Sequence, residues 1–165
     1  YGYNVGNDAS QVSHVSLPNS LGASEALTVA FWMKADELRN QMPIDKVPDD
    51  ASGTGWGVKV RSDKSINIRI GSENNNADVG SANAYDVGVW THVAFTFDNG
   101  TLNLYLNGSL VASQNGISQT PNVGSLPLTI GSNSEYWESF KGALDEIYLY
   151  DQALTDQQIS DLYNS

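Results

Sequence analysis

Short runs of alternating apolar and polar residues, separated by turn residues, fill most of this chain, the pattern of an antiparallel sandwich or barrel. The run Val89 to Asp98 is followed by Asn99-Gly100, then by Leu102, Leu104 and Leu106 at spacing two. Asn103, Tyr105 and Asn107 take the opposite face, and Asn107-Gly108 leads into Leu110-Val111-Ala112. Asn-Gly favours positive φ at both central positions of a tight turn, so this segment predicts a three-strand meander. Leu27 to Lys34 is apolar at most positions, as a central core strand should be. Ala35 to Gly55 reads as a long loop carrying Pro43, Pro48 and Asp49-Asp50, and loops of that length are often functional. Gly57 to Ser62 and Ile66 to Ile70 predict a hairpin across Asp63-Lys64-Ser65. Ser72 to Ser81 reads as a second polar loop containing Asn74-Asn75-Asn76. Leu126 to Ile130 and Gly142 to Tyr150 read as strands. Thr155 to Gln158 has the form of a capping box before Ile159, Leu162 and Tyr163, which predicts one short C-terminal helix.

The 165 residues suit a single domain, residues 1–165, able to bury one substantial core. With no cysteine, neither a disulfide framework nor a thiolate metal site is available. No run of about 20 apolar residues exists to span a bilayer as a helix. No leader is visible, and the start Tyr1-Gly2-Tyr3 suggests a module from a longer polypeptide. Eight Lys and Arg against 19 Asp and Glu give a formal net charge of −11, which disfavours nucleic acid as a partner. The same acidity suits solubility in a salty medium, and it supplies hard oxygen ligands for Ca²⁺.

Candidate binding chemistry lies on the second hairpin. With Val58, Val60, Ile66, Ile68 and Ile70 turned inward, Lys59, Arg61, Asn67 and Arg69 turn outward together. A loop of Asp63 to Ser65 sets Arg61 opposite Asn67 and Lys59 opposite Arg69. Pairing with nearby carboxylates is one use for such a patch, and seating carboxylate or sulfate groups of an anionic polymer is the other. Trp56, among Gly53, Gly55 and Gly57, and Trp137 beside Tyr136 are candidate stacking platforms for a sugar's CH face, or else lids on the core. Asn75, within its run of asparagines, is a candidate amide hydrogen-bonder. Trp32, Trp90 and His92 read as core or strand-packing residues.

Several segments together resemble the laminin-G-like, concanavalin A-like jelly-roll superfamily: LTVAFWMK (27–34), WTHVAFTF (90–97), LYLNG (104–108), LTIGS (128–132), FKGALDEIYLY (140–150) and ALTDQQISDLY (153–163). The resemblance implies an all-β fold, a two-sheet antiparallel β-sandwich (jelly roll) with one short C-terminal helix. It implies a secreted or cell-surface setting, covalently linked neighbouring domains and a monomeric module. It also implies a structural Ca²⁺ held by the aspartate of the final strand, which matches Asp145, and by an N-terminal group, for which Asp8 in Asn7-Asp8 is the best match. Members include extracellular binding modules, adhesins and receptor ectodomains, and relatives of the same sandwich are hydrolases or lectins.

Sandwich glycoside hydrolases carry their carboxylates at alternating positions of one strand, and no strand here has that pattern. Asp145 and Glu146 are adjacent, so regular strand geometry sends their side chains to opposite faces. His14 and His92 are the only histidines, and no nucleophile elbow is present. The expected function is therefore a non-catalytic carbohydrate-binding module for a polysaccharide of the alginate, carrageenan, agar or pectin type, attached to a degrading enzyme. The alternatives are a Ca²⁺-dependent adhesion or protein-interaction domain, and a sandwich-fold hydrolase or polysaccharide lyase.

Overall fold

A computed structural model describes residues 3–5 (backbone only), 14–20, 24–48, 50–122, 126–132 and 138–165. Twelve strands and one helix follow in chain order: β1 (Tyr3–Val5), β2 (Val15–Leu17), β3 (Leu27–Ala35), β4 (Gln41–Lys46), β5 (Trp56–Val60), β6 (Ile66–Gly71), β7 (Asn76–Ser81), β8 (Thr91–Asp98), β9 (Thr101–Leu106), β10 (Ser109–Gln114), β11 (Leu128–Ile130), β12 (Gly142–Tyr150) and α1 (Asp156–Tyr163). They form two antiparallel sheets, ordered β1-β12-β3-β8-β9-β10 and β2-β11-β4-β5-β6-β7. This is the expected sandwich, with the expected helix.

Alternation makes the core. From the first sheet Leu27, Val29, Phe31, Met33, Val93, Phe95, Phe97, Leu102 and Leu104 point inward, and they meet Ile44, Trp56, Val58, Val60, Ile66, Ile68 and Ile70 of the second. Each such side chain removed from water contributes roughly 1.5–3 kcal/mol. The meander β8-β9-β10 turns at Asn99 (φ 46°) and Gly100 (φ 74°), then at Asn107 (φ 49°) and Gly108 (φ 76°), as Asn-Gly pairs favour. On the outer face of the first sheet, Ala30 and Ala94 lie opposite each other, and their small side chains leave a hollow. Leu154 and Ile159 of the α1 region fill it. Tyr105 Oη donates to Asp156 Oδ1 at 2.7 Å, fixing the start of the helix.

Three expectations change. The long loop 35–55 contains β4, buried along its whole length. Its Pro43 and mixed polarity hid it: the register with β5 shifts between Gln41 and Ile44, and that irregularity accommodates a residue without an N–H. The polar loop 72–81 contains β7, an edge strand whose buried residue is Val79, so its sequence carries little apolar signal. The β5–β6 hairpin is also shifted by one residue on each strand. Val60 pairs with Ile66, Lys59 with Asn67 and Gly57 with Arg69. Lys64 adopts φ 67° and Asp63 Oδ1 accepts from Ser65 N at 3.0 Å, so the turn closes on Arg61 and Ser65, one step earlier than expected.

Candidate functional site

The outer face of the second sheet holds the hairpin cations, and each is engaged. Lys59 Nζ meets Glu138 at 2.8 Å. Arg69 pairs with Glu73 and, across the strand, with Asp78 at 3.6 Å. Arg61 Nε donates to Asn67 Oδ1 at 3.2 Å. Of the two uses expected for this patch, Lys59 and Arg69 show pairing with nearby carboxylates, while Arg61 meets the neutral amide of Asn67. The Arg69 pairing follows from the register: Arg69 stands opposite Asp78, not opposite Lys59.

Trp56 is not a stacking platform. It is fully buried, with its ring 5.5 Å from that of Phe95, and a sugar needs an open aromatic face. Asn75 does stand in an exposed loop, where its Oδ1 accepts from Gln119 Nε2 at 3.0 Å. Tyr136, Trp137 and Asp8 lie outside the described residues.

The open aromatic surface is elsewhere, on the outer face of the first sheet beyond the end of α1. A groove of about 400 Å³ is lined by Trp32, Trp90, Asp145, Glu146 and Ser165. That volume is in the range of small-ligand sites, roughly 300–1,000 Å³. Trp90 is 39% exposed and Lys34 Nζ lies 5.3 Å from its ring centroid. Trp32 is half-buried and held from behind: Tyr163 of α1 stacks on it at 5.6 Å and 28°, and His92 meets its edge at 5.4 Å. The His92 ring is almost fully buried, and burial pulls its pKa down to about 4, which keeps it neutral.

A bulge brings both carboxylates to this groove. Asp145 pairs with Trp32 and Tyr148 with Ala30, so three steps along β12 oppose two along β3. Glu146 takes the extra position at φ 48° and its N–H bonds to Asp145 Oδ1 at 2.9 Å. The opposite-face expectation for this pair fails because it assumed a regular strand. Trp32 and Trp90 were expected as core or strand-packing residues, and the structure corrects this: both line the groove. The alternation with buried Phe31 and Met33 turns Trp32 and Lys34 outward and was the available signal. Trp90 carried none, because it sits just before the first paired residue of β8, where alternation no longer applies.

Among the described residues no three His, Cys, Asp or Glu side chains gather to hold a metal ion. Asp145 and Glu146 offer two carboxylates, up to four of the six to eight oxygens Ca²⁺ takes, and the other expected ligand, Asp8, lies outside the described residues. From Tyr3, opposite Leu144, to Val5, opposite Gly142, the N-terminal strand also runs away from Asp145. The described residues alone do not fit the ion.

The profile of the concanavalin A-like lectin/glucanases superfamily matches residues 8–160. Among curated proteins, the zebrafish (Danio rerio) adhesion G-protein coupled receptor V1 is 28% identical over 148 residues, which is 83% of this chain and 2% of the receptor. The chain therefore spans a very small part of that relative. Among solved structures, a SAP-like pentraxin from Limulus polyphemus superposes with a TM-score of 0.78 at 19% identity, covering 98% of this chain and 80% of the pentraxin. The CBM40 domain of a Ruminococcus gnavus sialidase, bound to α2,3-sialyllactose, gives 0.72 at 15% identity, covering 86% of this chain and 84% of that one. At these identities the structural likeness establishes the fold alone. The profile match covers nearly the whole sequence, and the chain belongs to the concanavalin A-like lectin/glucanases superfamily.

Proposed function

We propose that this chain is a single, non-catalytic glycan-binding module of an extracellular or cell-surface protein, and that it binds in the Trp32–Trp90 groove. The observation that carries the reading is an exposed tryptophan at the mouth of a groove that also presents the carboxylates of Asp145 and Glu146 and the polar Ser165. A sugar ring lays its CH face on an aromatic surface and turns its hydroxyls to acceptors at the edge. Trp32 is braced by Tyr163 and His92, so little side-chain freedom is lost on binding. The solved neighbour bound to sialyllactose is consistent with glycan recognition on this scaffold. No helix of the described residues is long and apolar enough to cross a membrane. Attachment to a polysaccharide-degrading enzyme is part of the same proposal and is tested by the neighbouring sequence of the full polypeptide.

The test is affinity electrophoresis on neutral, anionic and amine-bearing polysaccharides, with and without chelator. Retardation that survives chelator and is reduced at least tenfold in Trp90→Ala supports the reading. Retardation by none of them sinks it, and release of new reducing ends would show a hydrolase instead.

A second reading has its own support. Leu38, Val87 and Val89 are exposed, and Gly88 N donates to Ala35 O at 2.8 Å, bringing their two loops together beside Trp90. An apolar rim of this kind suits a protein contact. Retention by a protein ligand, with no glycan retained, would favour it.

A further inference from the structure

We infer that the groove selects a glycan bearing protonated amines, of the glucosamine-polymer class. The inference rests on the glycan-binding reading of this same site and adds the charge of the ligand.

Every cationic side chain in the chain is already engaged within it. There are eight Lys and Arg. Arg39 and Lys141 pair with Glu37, Lys59 with Glu138, Lys64 with Asp86, and Arg69 with Glu73 and Asp78. Arg61 donates to Asn67, and Lys46 is buried with its Nζ held by Asn19 O at 2.7 Å and Leu126 O at 2.5 Å. Lys34 lies over Trp90. Neither Asp145 nor Glu146 forms an ion pair among the described residues. The groove therefore presents two carboxylates against one lysine, and that lysine is already placed on an aromatic ring.

An anionic sugar would meet those carboxylates at close range in a chain of net charge −11. A neutral sugar would satisfy them through hydroxyl donors. An ammonium group on the ring offers three donors and a charge, and charge-assisted hydrogen bonds of this kind are the stronger ones. The tryptophan faces add attraction for the cation next to the stacked ring. An N-acetylated sugar keeps the ring and loses the charge, so acetylation isolates the term.

Calorimetric titration with the glucosamine hexamer, its N-acetylated counterpart, cellohexaose, oligoguluronate and spermine tests this. The glucosamine hexamer should bind about tenfold more tightly than the acetylated hexamer or cellohexaose, the difference expected from two partly exposed charge contacts. That ratio should fall toward one in Asp145→Asn/Glu146→Gln and in high salt. Equal binding of the three hexamers overturns the amine preference and leaves the glycan reading intact. Spermine binding as tightly as the glucosamine hexamer overturns the glycan as occupant, because stacking would then contribute nothing. Binding to none of the sugars removes both readings. The acetylated comparison uses the unaltered protein, so it decides the matter even if the double variant folds poorly.

Discussion

A tryptophan can serve a β-sandwich by filling its interior or by offering a flat surface to a ligand; Trp56 fills the interior, and the proposal gives the second role to the exposed Trp90. Trp56 faces inward from β5 against Phe95 and has no exposed surface. Trp56→Ala should lower unfolding free energy by roughly 3–5 kcal/mol in urea titration, the usual cost of emptying a large aromatic site. The milder Trp56→Phe should keep glycan retention at the wild-type level, and loss of retention in a folded Trp56→Phe protein would contradict the assignment. The sequence pattern assigns them differently, Trp90 to the core or strand packing and Trp56 to a stacking platform or a lid on the core. The glycines around Trp56 suggested an open approach, whereas in the fold Gly57 abuts Asp45 and Met42 and gives room for tight packing. The alternation that placed Val58 and Val60 inside also places Trp56 inside, by the same period of two, and that was the more reliable guide.

At the level of elements, α1 both seals the first sheet and braces the groove. Its start is a full capping box: Thr155 accepts from Gln158 N, and Gln158 reaches back to the Thr155 N–H at 2.9 Å. This box was legible in the sequence because it depends on two side chains three residues apart. Thr155→Ala should destabilise the protein by about 1 kcal/mol. Because Tyr163 at the far end of the helix stacks on Trp32, weaker retention in affinity electrophoresis should accompany that loss. Wild-type retention in this variant would separate the helix from the site. Strand irregularities were the illegible elements. The bulge at Glu146 and the early turn at Lys64 each place a non-glycine residue at positive φ, and neither sequence context announces it. Both changed the reading of the surface: one joined two carboxylates, and the other paired Arg69 with Asp78.

For the molecule as a whole, His92 ties stability to pH. Its native pKa is about 4 because burial opposes the charged form, while the unfolded chain protonates near 6.5. Among the described residues, native His92 Nδ1 also has no hydrogen-bond partner that would reward protonation. The stabilisation is fully present above pH 6.5 and is lost as pH falls through 4, since the unfolded state takes up the proton first. Urea unfolding should show stability declining from pH 6.5 toward 5, and His92→Gln should flatten that part of the curve. An unchanged slope would assign the decline to other groups.

The internal engagement of the cations also acts at a distance. Positive side chains paired with neighbouring carboxylates add little to the field that a molecule in solution meets first. The remaining carboxylates then set a negative potential around the whole surface, which dilute salt leaves extended and physiological salt compresses to about 8 Å. A polycationic chain would be drawn toward the protein before any ring found its tryptophan, so encounter would be fast and ionic-strength-dependent, while residence would be governed by the stacked contact.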